Sequence, residues 1–242
     1  MEQFGQSSAG GKREPAAGNI RHSAINFEGL RPVLWPLSML DLPAFAPSRP
    51  VILVPYQPEW ALEFVALAPR LHRAAEALLS IDHIDSTAVP GLCAKDVLDV
   101  QLRVASLAEA AALTQRLRAA GFQRGEQAVY DEFSGLPVGS PGLAKYYLRE
   151  PAGERRMHIH IREAGRFNAR FALLFRDYLR ANSAARDQYG ELKCRAAALF
   201  PHSIDGYLFL KEPVFHLLHQ AAELWVEKTG WQPLLENPSS DD

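Results

Sequence analysis

The feature that most constrains the fold is an alternating segment, residues 97–104, which follows a turn-rich polar loop. Alternation with a period of two predicts a β-strand with two unlike faces. One face consists of Leu98, Val100, Leu102 and Val104, and the other of Val97, Asp99, Gln101 and Arg103. Pro90-Gly91 interrupts regular structure in the preceding loop. We expect the apolar face to join a core and the polar face to carry a site.

The loop and this strand together have the chemistry of a phosphate site. Ser86 and Thr87 offer hydroxyl and backbone N–H groups that suit phosphate oxygens. Asp99 offers a carboxylate, and Mg²⁺ is often held by one or two carboxylates together with substrate phosphates. Lys95 lies between the loop and Asp99 and is predicted to neutralise phosphate charge. These four residues predict a platform for a phosphate and a metal ion.

Two more polar residues share the face of Asp99. Gln101 offers a neutral carbonyl ligand but no charge to offset a second cation. Arg103 either binds a ligand or holds Asp99 in a salt bridge, and the sequence favours the two readings equally.

A second alternating segment, residues 157–161, places His158 and His160 on one face of a predicted strand. Two imidazoles side by side can bind a divalent metal or contact phosphate. The alternation alone fits better with polar residues on the solvent side of an antiparallel strand.

Helical spacing and capping signals predict helices around these strands. Pro69 is expected to bend or interrupt the first helix, and Ser106 with Glu109 forms a capping-box pattern at the start of the second. The predicted helices are 60–79, 106–121, 167–179, 183–199 and a last helix that includes 215–228, and residues 80–84 form a further strand. The helices of the C-terminal part are interpreted as scaffold.

Composition limits the classes of protein to which the chain can belong. Its 242 residues, 48% hydrophobic and 22% charged, suffice for one substantial core. The net charge of -2 gives no reason to expect nucleic-acid binding, and no apolar run approaches the ~20 residues of a membrane span. Two cysteines without a CxxC pair predict reduced thiols in the cytoplasm. We expect a flexible arm at 1–48, one domain at 49–230 and a polar tail at 231–242.

Three segments carry a family resemblance: residues 54–60 (VPYQPEW), 94–101 (AKDVLDVQ) and 171–182 (FALLFRDYLRAN). The chain resembles the GrpB-like proteins of the nucleotidyltransferase superfamily, most closely the GrpB-like domain appended to some bacterial dephospho-CoA kinases. The resemblance implies an α+β fold: a nucleotidyltransferase-like mixed β-sheet with flanking helices and a helical C-terminal part. It also implies that the strand of His158 and His160 faces a cleft beside Asp99.

The chain departs from the family pattern at two positions. Asp85 stands where the family has a turn glycine, and Gln101 where nucleotidyltransferases have a second carboxylate. A two-ion mechanism needs that second carboxylate to help clamp the attacking and leaving oxygens. A carboxylate at residue 85 also repels phosphate. These departures make catalysis an open question.

Two functions therefore remain. The first is metal-dependent nucleotide binding or nucleotidyl transfer, with Asp99 as the catalytic residue and Asp99 and His160 on Mg²⁺ or Mn²⁺. Its substrate-binding residues are Ser86, Thr87, Lys95, Gln101, Arg103, His158 and His160. The second is a catalytically degenerate interaction or folding-assistance domain linked to coenzyme A biosynthesis. The expected partners are a nucleotide or other phosphorylated small molecule and a protein, with no membrane and no nucleic acid.

Overall fold

The computed structural model describes residues 44–75, 78–125, 127–133 and 135–233. The strands are β1 (Ser80–Ile84), β2 (Leu98–Val104), β3 (Gln123–Arg124), β4 (Val129–Tyr130), β5 (Ala144–Arg149) and β6 (Met157–Glu163). They form one six-stranded sheet in the order β1-β2-β6-β5-β3, with β4 paired to β5. The β2–β6 pair is parallel and the other pairs are antiparallel. The predicted α+β class with a mixed sheet is confirmed.

Five α-helices accompany the sheet in these ranges: α1 (Glu59–Ala74), α2 (Ala110–Ala119), α3 (Phe167–Ala181), α4 (Ser183–Leu199) and α5 (Ile204–Thr229). The first ends earlier than predicted and contains Pro69. The last contains the predicted 215–228 and extends back through Pro213 to Ile204. Proline removes one helical hydrogen bond, but packing of an amphipathic face outweighs this local preference. None of the helices in the described ranges is long and apolar enough to cross a membrane.

One face of the sheet forms the main core with α1 and α2. Its apolar residues come from alternate positions of the strands, as the period-two pattern predicts. Among its buried members are Trp60, Leu71, Val100, Leu102, Leu117 and Ile159. This burial fixes which face of β2 and β6 points inward, so their polar residues share the opposite face.

The opposite face is a polar ladder, and α3 covers one end of it. Arg103 donates two hydrogen bonds to Asp82, at 2.8 and 2.9 Å. Gln101 donates to the carbonyl of Ala169 in α3 at 3.2 Å and accepts from Arg162 at 2.9 Å. Gln101 and Arg103 are buried. The salt bridge that the sequence allowed for Arg103 is therefore with Asp82 rather than Asp99.

Residues on either side of the predicted domain, 49–230, also contact it. The ring of Phe45 packs against Phe200 at 5.3 Å and Phe209 at 5.2 Å. Ser48 donates its backbone N–H to the carbonyl of His202 at 2.7 Å. Trp231 donates to Asp177 at 3.1 Å. The rest of the predicted arm, residues 1–43, and of the tail, residues 234–242, lies outside the described residues.

Replacing Arg103 by methionine tests whether this residue belongs to the fold or to a site. The substitution leaves the Asp82 carboxylate buried without its bidentate partner, and breaking a buried pair in this way costs about 3–5 kcal/mol. We expect the free energy of unfolding, measured by urea titration, to fall by that order while the remaining folded protein keeps its ligand affinity. If the variant instead kept its stability and lost ligand binding, Arg103 would be a ligand-binding residue and not a structural one.

Candidate functional site

A cleft of about 560 Å³ opens beside the first residues of β2 and β6. Its walls come from three parts of the chain. The loop after β1 contributes Asp85, Ser86 and Thr87; the sheet contributes Asp99, Lys145, Tyr147, His158 and His160; and α4 and α5 contribute Tyr189, Lys193, Tyr207 and Lys211. The α3 cover stops short of this end of the polar ladder, so Asp99 and His158 remain partly exposed.

Hydrogen bonds from the helices hold the loop backbone in place. Residues Ser86–Ala88 form a single 3-10 turn. Arg176 donates to the carbonyl of His83 at 2.9 Å, and Arg180 donates to the carbonyl of Ala88 at 2.8 Å. Arg176 is itself buried. The loop is therefore anchored on α3 from both sides of its turn.

The two hydroxyls predicted to bind phosphate already have partners within the protein. Ser86 accepts a hydrogen bond from the Lys193 ammonium at 2.9 Å. Thr87 shares a hydrogen bond of 2.9 Å with His83, whose pKa burial and Arg180 lower to about 4. Because this imidazole is neutral, it orients the threonine without adding charge. Ser86 and Lys193 therefore stand in the wall of the cleft as a hydrogen-bonded pair.

Asp85 has a backbone conformation that normally requires glycine. Its φ is 58° and its ψ is -158°. This region is essentially restricted to glycine and costs other residues of order 1–3 kcal/mol. Burial and the charge of Asp99 raise the pKa of the Asp85 carboxyl, although Lys211, Arg162 and Lys145 oppose this. The loop keeps its turn, and the residue that strains it faces the cleft.

Asp99, His158 and His160 form a group that can hold a metal ion. Each offers one ligand atom, and these atoms all lie within 4.8 Å of one another. The distance from His158 Nδ1 to Asp99 Oδ1 is 2.9 Å, and from His160 Nε2 to the same oxygen it is 3.7 Å. The Nε2 atom of His160 is buried and has no hydrogen-bond partner among the described residues. In the tautomer that carries its proton on Nδ1, this nitrogen has a free lone pair for a cation, and in that form the residues fit a divalent metal.

The protonation states of this group also suit a cation, because metal ligands must be deprotonated. Burial, followed by the nearby charge of Arg162, lowers the pKa of His160 to about 3, so its ring is neutral. Burial alone would raise the pKa of Asp99, but its contacts with His158 and His160 hold it well below the usual range. The group therefore presents an ionised carboxylate and a neutral imidazole.

Lys145 controls which nitrogen of His160 carries the proton. Its Nζ lies 3.1 Å from Nδ1 of His160 and also pairs with Asp131. A lysine that donates to Nδ1 leaves the proton on Nε2, the nitrogen that faces Asp99. Coordination through Nε2 therefore requires Lys145 to give up this contact and keep only Asp131. Asp131 in turn accepts from Arg162 at 2.9 Å.

Four lysines make the cleft attractive to an anion: Lys95, Lys145, Lys193 and Lys211. Burial lowers the pKa of Lys193 to about 7, with Lys211 adding to the effect. Burial and the charge of Lys95 lower the pKa of Lys211 to about 8. Crowded ammonium groups with lowered pKa values gain a favourable partner when a phosphate enters.

Six of the predicted site residues line the cleft: Ser86, Thr87, Lys95, Asp99, His158 and His160. Gln101 and Arg103 are absent from its described lining, because α3 buries them. The sequence interpretation did not assign five further residues of the lining to the site: Asp131, Lys145, Tyr147, Lys193 and Lys211. Tyr189 with Lys193 and Tyr207 with Lys211 repeat one spacing of four, which sets each lysine on the buried stripe of its helix. That spacing was a signal available in the sequence.

Comparison with known proteins identifies one family over most of the described residues. The family model described as "GrpB protein" matches residues 50–221. A curated relative named dephospho-CoA kinase, from Mycolicibacterium paratuberculosis, is 37% identical over 200 residues, which are 76% of this chain and 49% of the relative. The protein YqkA from Bacillus subtilis is 29% identical over 181 residues, with shares of 74% and 49%. The chain thus spans about half the length of these curated relatives.

Solved structures give a further comparison. The crystal structure of conserved protein GrpB from Enterococcus faecalis matches with a TM-score of 0.60 and 31% identity, over 72% of this chain and 99% of that one. The Cid1 poly(U) polymerase is a more distant neighbour, with a TM-score of 0.37 and 12% identity, which is too low to bear on function.

Replacing Asp85 by glycine tests the strain at the loop. Relief of about 1–3 kcal/mol is partly offset by the roughly 0.5–1 kcal/mol that glycine loses through backbone entropy. We expect a net gain of about 1 kcal/mol in the free energy of unfolding in urea, together with tighter binding of inorganic tripolyphosphate. Asp85→Asn separates the two effects, because it removes the charge and keeps the strain. If Asp85→Gly and the wild type were equally stable, the backbone of Asp85 would not be strained.

Lys193 predicts a pH dependence of stability. Since its pKa is lowered to about 7 in the folded state, the unfolded chain binds more protons above that pH. Stability from this group therefore rises with pH, and the rise spans about pH 6.5 to about pH 8.5 and continues toward the ordinary lysine pKa. Lys193→Met, compared with the wild type by urea unfolding across that window, should show a shallower rise. Parallel curves for the two proteins would show that Lys193 keeps its ordinary pKa.

Proposed function

Because this chain belongs to the GrpB family, we propose that its cleft binds a nucleotide or a related phosphorylated small molecule together with one divalent cation. The observation that carries the proposal is that one cleft contains both possible metal ligands and cationic side chains. Asp99, His158 and His160 offer ligand atoms for a cation, and four lysines with the Ser86 loop offer partners for phosphate oxygens. A phosphorylated ligand uses both at once.

The donor set favours some cations over others. Mg²⁺ prefers oxygen ligands in octahedral geometry, whereas imidazole nitrogens suit transition metals. With one carboxylate and imidazole nitrogens, Mn²⁺ fits this group better than Mg²⁺, and Zn²⁺ is the natural competitor. The cation neutralises charge on the ligand's phosphates. Asp99 anchors it, and His160 adds a nitrogen once Lys145 has turned to Asp131.

The lysines and the loop then act on the rest of the phosphate charge. Lys193 holds Ser86 and lies beside the Cys93 carbonyl, so it sits at the base of the loop. Lys211 lines the same cleft as Asp85 and Asp99, and the charges of both favour its protonated form. We assign phosphate neutralisation to Lys95, Lys193 and Lys211, and phosphate hydrogen bonding to Ser86.

Nucleotidyl transfer is the finer form of this proposal. In it an acceptor oxygen attacks the α-phosphorus, the bond to the β-phosphate oxygen breaks, and pyrophosphate leaves. Two-ion catalysis clamps both oxygens, but Gln101 is neutral and buried, and Asp131 is engaged by Arg162 and Lys145. We therefore expect binding to be robust and turnover, with one cation, to be slow.

A second function follows from a separate observation. Curated relatives named dephospho-CoA kinase are about twice as long as the segment they share with this chain. A domain of this kind joined to an enzyme is suited to assist that enzyme's folding or to hold its partner. In this alternative the chain binds a dephospho-CoA kinase or a related protein, and the cleft has no small ligand. Co-purification of the two chains on a sizing column tests it.

The experiment for the proposed function uses thermal unfolding and calorimetry with Mn²⁺, Mg²⁺ or Zn²⁺, each with and without nucleoside triphosphates. A ligand at ~100 times its dissociation constant stabilises the fold by roughly 2.7 kcal/mol. We expect a cation-dependent stabilisation in the wild type that Asp99→Asn abolishes.

The matched control is Asp187→Asn, because Asp187 is an exposed carboxylate in a surface pair with Arg186. This variant should keep the full stabilisation. Ligand binding that survives in Asp99→Asn would remove Asp99 from the cation site. Absence of stabilisation with every combination would favour the protein-partner function.

A further inference from the structure

A second cavity of about 190 Å³ adjoins the cleft and differs from it in character. The two share Asp85, Asp131, Glu132, His160 and Phe215 in their walls. The second cavity, which we call the aromatic chamber, is further lined by Phe133, Phe167, Phe171 and His216. One ligand can therefore reach both spaces at once, with an ionic part in the cleft and an apolar part in the chamber.

The rings of the aromatic chamber are packed around Phe133. Its ring centroid lies 4.7 Å from that of Phe167, 5.2 Å from Phe171 and 4.5 Å from His216. An apolar cavity of about 150 Å³ is enough to take up benzene. The chamber thus has the size and the ring surfaces to receive a planar ring system.

Asn168 adds a polar requirement to this apolar space. Its Nδ2 donates to the Asp131 carboxylate and to the Ala144 carbonyl, both at 3.1 Å. Neither partner has a hydrogen to donate in its ionised or amide form, so the orientation of the side-chain amide is fixed. Asn168 lines the chamber and is 3% exposed, and its Oδ1 has no hydrogen-bond partner among the described residues.

An unpartnered buried acceptor is costly, and an N–H donor on a ligand removes that cost. Both ring nitrogens of His216 are likewise buried without a partner in the part of the chain that the structure describes. The chamber is therefore better suited to a planar ring with polar edges than to a purely apolar group.

The charges of the two spaces set the direction of the ligand. The lysines, among them Lys193 and Lys211, line the cleft and not the chamber, whereas Glu212 lines the chamber and not the cleft. Arg162 also lines the chamber, but it is paired with Asp131. Phosphate is attracted to the lysines and repelled from the carboxylates. A ring that carries N–H donors is compatible with the carboxylates, so the charges favour a ligand with its ring in the chamber and its phosphates in the cleft.

We propose that the aromatic chamber binds the base of a nucleotide, and that this base carries an exocyclic amino group which donates to Asn168 Oδ1. The inference rests on the proposed function, because it assigns the phosphates of the same molecule to the cleft. It adds a specificity: the chain distinguishes bases by a hydrogen-bond donor and not by stacking alone.

The test compares four probes on the full chain. ATP carries both parts, purine riboside 5′-triphosphate lacks only the amino group, inorganic tripolyphosphate lacks the nucleoside, and adenosine lacks the phosphates. Calorimetry with Mn²⁺ measures the three phosphorylated probes, and saturation-transfer NMR without metal measures adenosine. Phe133→Leu removes the central ring of the chamber, and Phe209→Leu, at a residue 44% exposed outside the chamber, is the matched control.

We expect ATP to bind about tenfold or more tightly than tripolyphosphate, and loss of the amino group to weaken binding about fivefold, the effect of one hydrogen bond of ~1 kcal/mol. Phe133→Leu should weaken ATP and adenosine binding several-fold and leave tripolyphosphate unchanged, while Phe209→Leu leaves all four unchanged. Equal affinity for ATP and purine riboside 5′-triphosphate would overturn the role of Asn168.

The remaining outcomes separate the two proposals. Equal affinity for ATP and tripolyphosphate, with no effect of Phe133→Leu, overturns the base assignment and leaves the phosphate site standing. Adenosine binding that Phe133→Leu abolishes, without tripolyphosphate binding under any cation, supports the chamber and overturns the cation–phosphate cleft. No binding of any probe overturns both.

Discussion

The parallel pairing of β2 with β6 is the interaction on which the rest of the structure depends. Its register places Asp99 opposite His158 and Gln101 opposite His160. A slip of one residue would turn every side chain of a strand to the other face. Two contacts oppose such a slip: the apolar residues of both strands are buried against α1 and α2, and Arg162 donates to Gln101 across the strands. The residues that fix the register therefore also bring the carboxylate and the imidazoles together.

The same polar ladder serves structure at one end and chemistry at the other, and the difference lies in what covers it. Under α3, Asp82, Arg103 and Gln101 are buried and satisfy one another. Beyond the α3 cover, Asp99 and His158 meet the cleft and the lysines of α4 and α5. Desolvation makes the covered polar groups costly to disturb, whereas the open end can still exchange partners with a ligand.

This difference explains how much the sequence could predict. Alternation correctly assigned β2 and β6, and with the family resemblance it brought Asp99 and the histidines to one cleft. It could not separate Asp99 from Gln101 and Arg103, because period two identifies a face and says nothing of the helix that covers it. Lys193 and Lys211 come from helices far along the chain, so only tertiary packing brings them to the loop. The first turns of α5 precede Pro213, a local breaking signal that burial of residues such as Tyr207 overrides, and the predicted 215–228 covers only the part after it.

Asp85 combines a strained backbone with a negative charge in the cleft, and a bound ligand has to offset that charge. The cleft contains three aspartates, and Asp131 is already matched by Arg162 and Lys145. Asp85 and Asp99 therefore remain to be offset. Burial and the charge of Asp99 raise the pKa of Asp85, which means that both disfavour the charged form of its carboxyl. Asp99 has the opposite tendency and keeps its charge for a cation. The two neighbouring carboxyls therefore differ. Asp99 keeps the charge that a metal requires, and Asp85, the strained residue, carries a charge that its surroundings disfavour.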